Sequence, residues 1–114
     1  MEKSVAGDII AINYPFSDLT SFKARPALII SKANKTEFII CQITSKDYEE
    51  PDAIKIEEQD LFEGTLHKTS YALTSKLFTS DSKLFKYKIG TLNKIKFHKV
   101  VSTIINILNK NLSQ

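Results

Sequence analysis

Apolar residues alternate or cluster over short stretches in the first three quarters of the chain, and these stretches predict β-strands. The clearest runs from Thr36 to Thr44, where β-branched and aromatic residues dominate. Ala53–Glu57 alternates apolar and charged residues with the period of two expected of a half-buried strand. Turn-forming residues separate the runs. Further strands are predicted over residues 8–14, 27–31, 70–78 and 84–89.

Near residue 95 the apolar pattern changes to a helical period. Apolar residues then recur at steps of one, three and four, at Ile95, Val100, Val101, Ile104, Ile105, Leu108 and Leu112. They would lie on one face of a helix, capped at its start by Thr91 or Asn93. We expect this face to pack on the sheet, with part of it available for a dimer interface. The pattern predicts a mainly-β, barrel-like fold with a C-terminal α-helix.

Length and composition are those of an ordinary globular protein. A chain of 114 residues predicts one domain, spanning residues 1–114. No apolar run approaches the roughly 18 residues that span a bilayer, and the first residues, Met1–Ser4, lack the pattern of a signal peptide. We therefore expect a cytoplasmic protein without a membrane partner. The single cysteine, Cys41, follows an apolar run and is interpreted as a buried core thiol rather than a nucleophile.

The net charge of +3 is unevenly distributed. Residues 71–114 carry eight lysines against one acidic residue, so this third attracts phosphate groups or simply forms a solvated surface. Fifteen of the sixteen basic residues are lysine, and Arg25 is the only arginine. Because a guanidinium grips a phosphate with two parallel donors, Arg25 is a candidate for a site that needs this geometry. A structural ion pair is the other interpretation.

Several kinds of site are disfavoured by the sequence. No His, Cys, Asp and Glu residues have metal-ligand spacing, and we expect neither a metal nor another cofactor. His67 and His98 are far apart, and His98 falls on the predicted helix surface. An acidic middle section is interpreted as a solvated face. It comprises Glu49, Glu50, Asp52, Glu57, Glu58, Asp60 and Glu63.

Polar residues at predicted strand ends form the remaining candidate site. Arg25 is expected to open a strand after the loop from Ser17 to Ala24, and Thr44 and Ser45 close the strongest strand. A guanidinium with nearby hydroxyls suits phosphate chemistry, since it neutralises charge that develops on a phosphate oxygen. RNA supplies its own nucleophile, the 2′-hydroxyl. This argument fits a catalytic site and a non-catalytic phosphate-binding site equally well.

Three sequence segments resemble motifs of the MazF/PemK toxin family, in the family's order. Residues 7–18 (GDIIAINYPFSD) are similar to its opening strand, and residues 23–31 (KARPALIIS) to its Arg-Pro motif and the apolar strand after it. Residues 41–45 (CQITS) resemble a third strand ending in Ile-Thr and a small residue. Similarity continues over residues 70–73, 78–81 and 88–92, so the resemblance covers nearly the whole chain.

The resemblance implies an SH3-like barrel with a C-terminal helix, acting as a homodimer that a cognate antitoxin blocks. The implied activity is metal-independent, sequence-selective cleavage of single-stranded RNA, usually mRNA. The family's catalytic arginine and threonine correspond to Arg25 and Thr44. Ser17 and Lys23, on the loop after the first strand, would border the RNA groove, with Ser45 as a helper.

One position departs from the family. Many members carry a second arginine in a late strand, where this chain has Phe78, and Lys76 stands where glutamine is usual. Either Lys76 supplies the basic contact or Phe78 stacks on a base. Asp81 is a lesser candidate for orienting groups at the site, and its alternative role is to form a turn.

Two other functions stay open at this point. One is a toxin of the same fold that binds a protein target, such as a topoisomerase, without cleaving RNA. The other is a non-catalytic RNA-binding module that uses the basic C-terminal third.

Overall fold

The computed structural model describes residues 4–15, 22–46 and 50–112. In these residues, seven strands form one curled antiparallel sheet in the order β4-β6-β3-β2-β1-β7-β5. A single C-terminal helix follows, which confirms the predicted mainly-β fold. The elements are β1 (Asp8–Pro15), β2 (Phe22–Lys32), β3 (Glu37–Thr44), β4 (Ile54–Ile56), β5 (Leu61–Gly64), β6 (Ser70–Asp81), β7 (Phe85–Leu92) and α1 (Lys94–Asn109).

The central strands contribute buried side chains to two cores, one on each face of the sheet. Each strand can do so because its successive side chains point to opposite faces. The helix-side core lies under α1, and the opposite-face core lies on the other face of the sheet. The helix-side core contains Ile9, Leu28, Cys41, Ile43, Ile54, Ile56, Ala72, Leu92, Val100 and Ile104. The opposite-face core contains Ile10, Ile12, Ala27, Ile29, Phe38, Ile40 and Phe85.

The helix packs on the sheet through a narrower face than the sequence predicts. Asn93 is the N-cap, and its side chain accepts a hydrogen bond from the Lys96 amide at 2.8 Å. Val100 and Ile104 are buried. Only part of the predicted apolar stripe packs on the sheet, because the stripe is wider than the contact. Its exposed members are Ile95, Ile105, Leu108 and Leu112. Within the described part of the chain, no helix is both long and apolar enough to cross a membrane.

Three strands, β2, β6 and β7, extend by three or more residues beyond their predicted ends, with β7 reaching Leu92 instead of Ile89, and one strand was not predicted. Strand β2 begins at Phe22, opposite Pro15 of β1, so Arg25 lies inside the strand rather than opening it. Strand β6 continues to Asp81, and a short 3-10 turn follows. Strand β5 pairs with β7 through mostly exposed residues. These segments are strands because their backbones pair with a neighbouring strand. That pairing does not require apolar residues at every second position, so the sequence pattern does not predict it.

Candidate active site

Arg25 and Thr44 come together through the register of β2 and β3. Ala27 lies opposite Gln42 in this antiparallel ladder. Arg25 and Thr44 are each two residues farther along, at the same end of the two strands. The period of two puts Arg25 on the face of Ala27 and Thr44 on the face of Gln42. The sequence placed both residues next to loops, and the register explains why they meet.

The two side chains line a concave pocket of about 300 Å³, which we call the strand-end pocket. Arg25 and Lys76 are exposed and Thr44 is half-buried. The described residues that line the pocket include two cations and one carboxylate, so the pocket favours an anion. Its lining residues are Arg25, Gln42, Ile43, Thr44, Glu50, Leu73 and Lys76.

A bulge in β6 contributes Leu73 and Lys76 to this pocket. Cys41 and Ile43 of β3 lie opposite Leu77 and Ala72, so two steps along β3 correspond to five along β6. The extra residues locally break the ladder and redirect side chains. The bulge therefore places Lys76, one of the predicted RNA-contacting residues, in the pocket with Arg25 and Thr44.

The core behind the pocket contains the single cysteine. The Cys41 thiol is buried and lies 3.3 Å from the Leu73 carbonyl, to which it donates. Burial raises the pKa of this thiol from its ordinary value of 9.0 to about 12. Since the thiolate is the nucleophilic form, the predicted core role of Cys41 is confirmed.

Glu50 enters the strand-end pocket from a tight turn, although its sequence context predicts only a place in the solvated acidic section. The Ala53 amide donates to the Glu50 carbonyl at 3.2 Å, closing the turn. The buried Thr74 hydroxyl donates to the Asp52 carbonyl at 2.7 Å and ties the turn to β6. The Glu50 carboxylate lies 3.8 Å from the Lys76 ammonium. No spacing in the acidic middle section distinguishes Glu50, because the turn and the bulge bring it to the pocket.

The Thr44 hydroxyl is held in place by the chain that follows it. Its Oγ1 accepts a hydrogen bond from the Lys46 amide at 3.1 Å. Accepting that bond leaves the hydroxyl proton able to donate to a ligand, since a hydroxyl is both acceptor and donor. Ser45 follows Thr44 and is exposed.

The remaining predicted site residues lie elsewhere or outside the described residues. Ser17 lies outside them, and Lys23 belongs to β2 opposite Tyr14, with its side chain outside the description. Phe78 lies opposite Ile40 and packs, half-buried, against the opposite-face core.

Asp81 is separated from the strand-end pocket by the length of β3. Asp81 lies opposite Glu37, at the end of β3 farther from Thr44. At the usual rise per residue, Glu37 and Thr44 are roughly 23 Å apart along the strand. Its carboxylate accepts a hydrogen bond from the Lys83 amide at 2.9 Å. This is the turn-forming role that the sequence offered as its alternative.

The histidines do not belong to this pocket. Both are exposed, and His98 on α1 lies with its Nδ1 atom 3.3 Å from the Ser102 hydroxyl. Among residues 4–15, 22–46 and 50–112, no three or more His, Cys, Asp or Glu side chains are grouped to hold a metal ion.

Comparison with known proteins gives one family and one fold. A family model described as PemK-like, MazF-like toxin of type II toxin-antitoxin system matches residues 6–108. A MazE-MazF structure from Deinococcus radiodurans matches with a TM-score of 0.74 at 16% identity, covering 93% of this chain and 96% of that chain. An endoribonuclease in complex with its cognate antitoxin, from a mycobacterial species, matches with a TM-score of 0.72 at 14% identity, covering 96% of each chain. The Mycobacterium tuberculosis toxin MazF-mt6 matches with a TM-score of 0.68 at 18% identity, covering 90% and 96%.

A comparison with curated proteins finds no match. At these identities the structural matches establish the fold, and the predicted SH3-like toxin barrel is confirmed. The family match confirms the resemblance carried by the sequence motifs.

Proposed function

Because the chain belongs to the family of PemK-like and MazF-like toxins of type II toxin-antitoxin systems, we propose that it is an endoribonuclease that cleaves single-stranded RNA. The observation that carries the proposal is the strand-end pocket, where Arg25 and Thr44 lie together with Lys76. The substrate is mRNA in the cytoplasm, cut at a selected sequence.

In the proposed reaction, the RNA 2′-hydroxyl attacks the adjacent phosphorus atom and the bond to the 5′-oxygen breaks. The products are a 2′,3′-cyclic phosphate and a 5′-hydroxyl. Arg25 donates to the non-bridging phosphate oxygens, where negative charge builds up in the transition state. Thr44 donates its hydroxyl proton to one of these oxygens. The reaction needs no metal, since RNA supplies the nucleophile and Arg25 compensates the charge.

Two protein partners belong to this proposal. One is a cognate antitoxin, as in the mycobacterial endoribonuclease complex of the same fold. The other is a second copy of this chain. Ile95 in α1 and Leu112, three residues beyond its end, are exposed to 84% and 80%, and such apolar side chains are suited to an interface. The mass of the purified protein by light scattering tests the homodimer.

The experiment that tests the activity is incubation of the purified protein with a long single-stranded RNA in the presence of a chelator. We expect discrete fragments ending in cyclic phosphates, mapped by end-labelling, and no cleavage of the same sequence as a duplex. Intact RNA at high concentrations of protein that circular dichroism shows to be folded contradicts the proposal. RNA that is bound but not cut identifies a binding module. Inhibition of a topoisomerase without any effect on RNA identifies a toxin with a protein target.

A further inference from the structure

We propose that the Glu50 carboxylate and the Lys76 ammonium are the proton acceptor and the proton donor of RNA cleavage in the strand-end pocket. This inference rests on the proposed function and adds the acid–base chemistry that Arg25 and Thr44 do not supply. An arginine stays protonated in proteins and a neutral threonine hydroxyl is a poor base. Attack by a 2′-hydroxyl is faster when a positioned base takes its proton.

Glu50 has the position that such a base requires. It lines the same pocket as Arg25 and Thr44, and it is the carboxylate among the described lining residues. Two hydrogen bonds fix the backbone position of Glu50. One closes the turn at residues 50–53, and the other, from the Thr74 hydroxyl, holds this turn to β6. The pairing of Ile54 with Ala72 continues this attachment into β4. A base held on such a scaffold keeps its geometry without help from the substrate.

Lys76 completes the pair, since it lines the same pocket. Its Nζ atom lies 3.8 Å from Glu50 Oε1, and the two side chains are 50% and 31% exposed. Exposed ion pairs are weak, so an entering phosphate separates the two groups at little cost. The phosphate then lies between a carboxylate and an ammonium, with Arg25 in the same pocket.

The proposed step balances without an external reagent. The 2′-oxygen forms a bond to phosphorus while its proton passes to Glu50. The bond from phosphorus to the 5′-oxygen breaks, and this oxygen takes a proton from Lys76. After the products leave, the proton on Glu50 returns to the Lys76 amine across the pair, which restores both groups for the next cycle.

The first test is Glu50→Gln, which removes the base and nearly preserves its shape. We expect the single-turnover cleavage rate to fall by about 100-fold or more. RNA binding, measured separately, should stay equal or become tighter, because a negative charge leaves a cationic pocket. Glu63→Gln is the matched control, since Glu63 also pairs with a lysine, Lys88 at 3.4 Å, but lies outside the pocket. The control should cleave at the normal rate.

The second test uses RNA with sulfur in place of the 5′-oxygen at the mapped cleavage position. A thiolate leaves without needing a proton, since thiols are far more acidic than alcohols. Lys76→Met should therefore cleave ordinary RNA slowly and recover on the sulfur substrate, whereas Glu50→Gln should stay slow on both. Lys76→Arg keeps the positive charge, but its guanidinium does not give up a proton. It should therefore also cleave ordinary RNA slowly and recover on the sulfur substrate.

The outcomes separate this inference from the function on which it rests. If wild-type protein cleaves RNA and Glu50→Gln cleaves it as fast or faster, Glu50 is not the base and the endoribonuclease assignment stands. If Lys76→Met is equally slow on both substrates, Lys76 is a binding residue and not the acid. If wild-type protein leaves RNA intact, the endoribonuclease assignment and the acid–base pair are both overturned.

Discussion

Arg25 of β2 and Thr44 of β3 line one pocket because each lies two residues beyond the paired Ala27 and Gln42. They are 19 positions apart in sequence, and the ladder makes them neighbours. Neither belongs to a flexible loop, because the backbone of Arg25 pairs with Ile12 of β1, and Thr44 pairs with Tyr71 of β6. The backbone positions of the two residues are therefore set by strand pairing, as the proposed phosphate site requires.

Arg25→Ala should abolish RNA cleavage while leaving the fold intact. Loss of a donor that stabilises transition-state charge lowers the rate by about 100- to 1,000-fold. Because Arg25 is exposed, we expect the free energy of unfolding to change by about 0.5 kcal/mol or less. Single-turnover cleavage and urea denaturation measure the two effects. Lys35→Ala, in the turn at the far end of β3, is the control and should remain active. Activity that survives in Arg25→Ala would show that the site lies elsewhere.

Thr44 should act through its hydroxyl rather than its shape. Thr44→Val keeps the β-branched side chain that suits β3 and removes the donor. A hydrogen bond to a charged group contributes about 1.5–3 kcal/mol, so the cleavage rate should fall by about 10- to 100-fold. Thr44→Ser keeps the hydroxyl and should retain most of the activity in the same assay. Equal rates for the valine and serine variants would remove Thr44 from the mechanism.

The local sequence pattern predicted the elements that bury side chains at regular intervals, every second residue in a strand and every third or fourth in a helix. Strand β3 and helix α1 are the best examples, since Phe38, Ile40, Val100 and Ile104 carry the periodicity of the core. The pattern did not predict β5, because its residues are half-buried or exposed and the strand depends on pairing with β7. Backbone pairing between distant segments leaves no periodic trace in sequence.

The candidate site was predictable only in part, for the same reason. Arg25 was identified from its rarity and its Arg-Pro motif, and Thr44 from family resemblance. Glu50 could not be distinguished from the acidic residues around it. Its place in the pocket depends on the bond from Thr74 to the Asp52 carbonyl, which joins residues 22 positions apart in sequence. The bulge that positions Lys76 is likewise a property of the β3–β6 pairing.

Two glycines with positive φ should respond differently to alanine. Gly64 has a φ of +95°, and an added Cβ would collide with Gly90 Cα and the Ile89 carbonyl. Gly7 has a φ of +96°, but its Cβ would meet only Phe97 Cδ1, at an ordinary 3.9 Å. We expect Gly7→Ala to lower the free energy of unfolding by about 1–2 kcal/mol through backbone strain alone. Gly64→Ala should lower it by about 3 kcal/mol or more, since strain and collision add. Urea denaturation measures the free energy of unfolding of both variants. Equal decreases for Gly7→Ala and Gly64→Ala would contradict the close approach of β5 and β7.

The Cys41 thiol should make the fold less stable at alkaline pH. Burial raises its pKa from 9.0 to about 12, so the folded chain keeps the proton where the unfolded chain releases it. The stabilising contribution is therefore fully present below about pH 9 and is lost as the pH rises from 9 towards 12. Between pH 8 and pH 10, the free energy of unfolding of wild-type protein should fall by about 1 kcal/mol more than that of Cys41→Ala. We expect the variant to be less stable at pH 8 because it leaves a cavity, but it keeps every other titrating group, so the difference in pH dependence isolates the thiol. Parallel pH profiles of the two proteins in urea denaturation would show that the thiol ionises as easily in the folded chain as in the unfolded one.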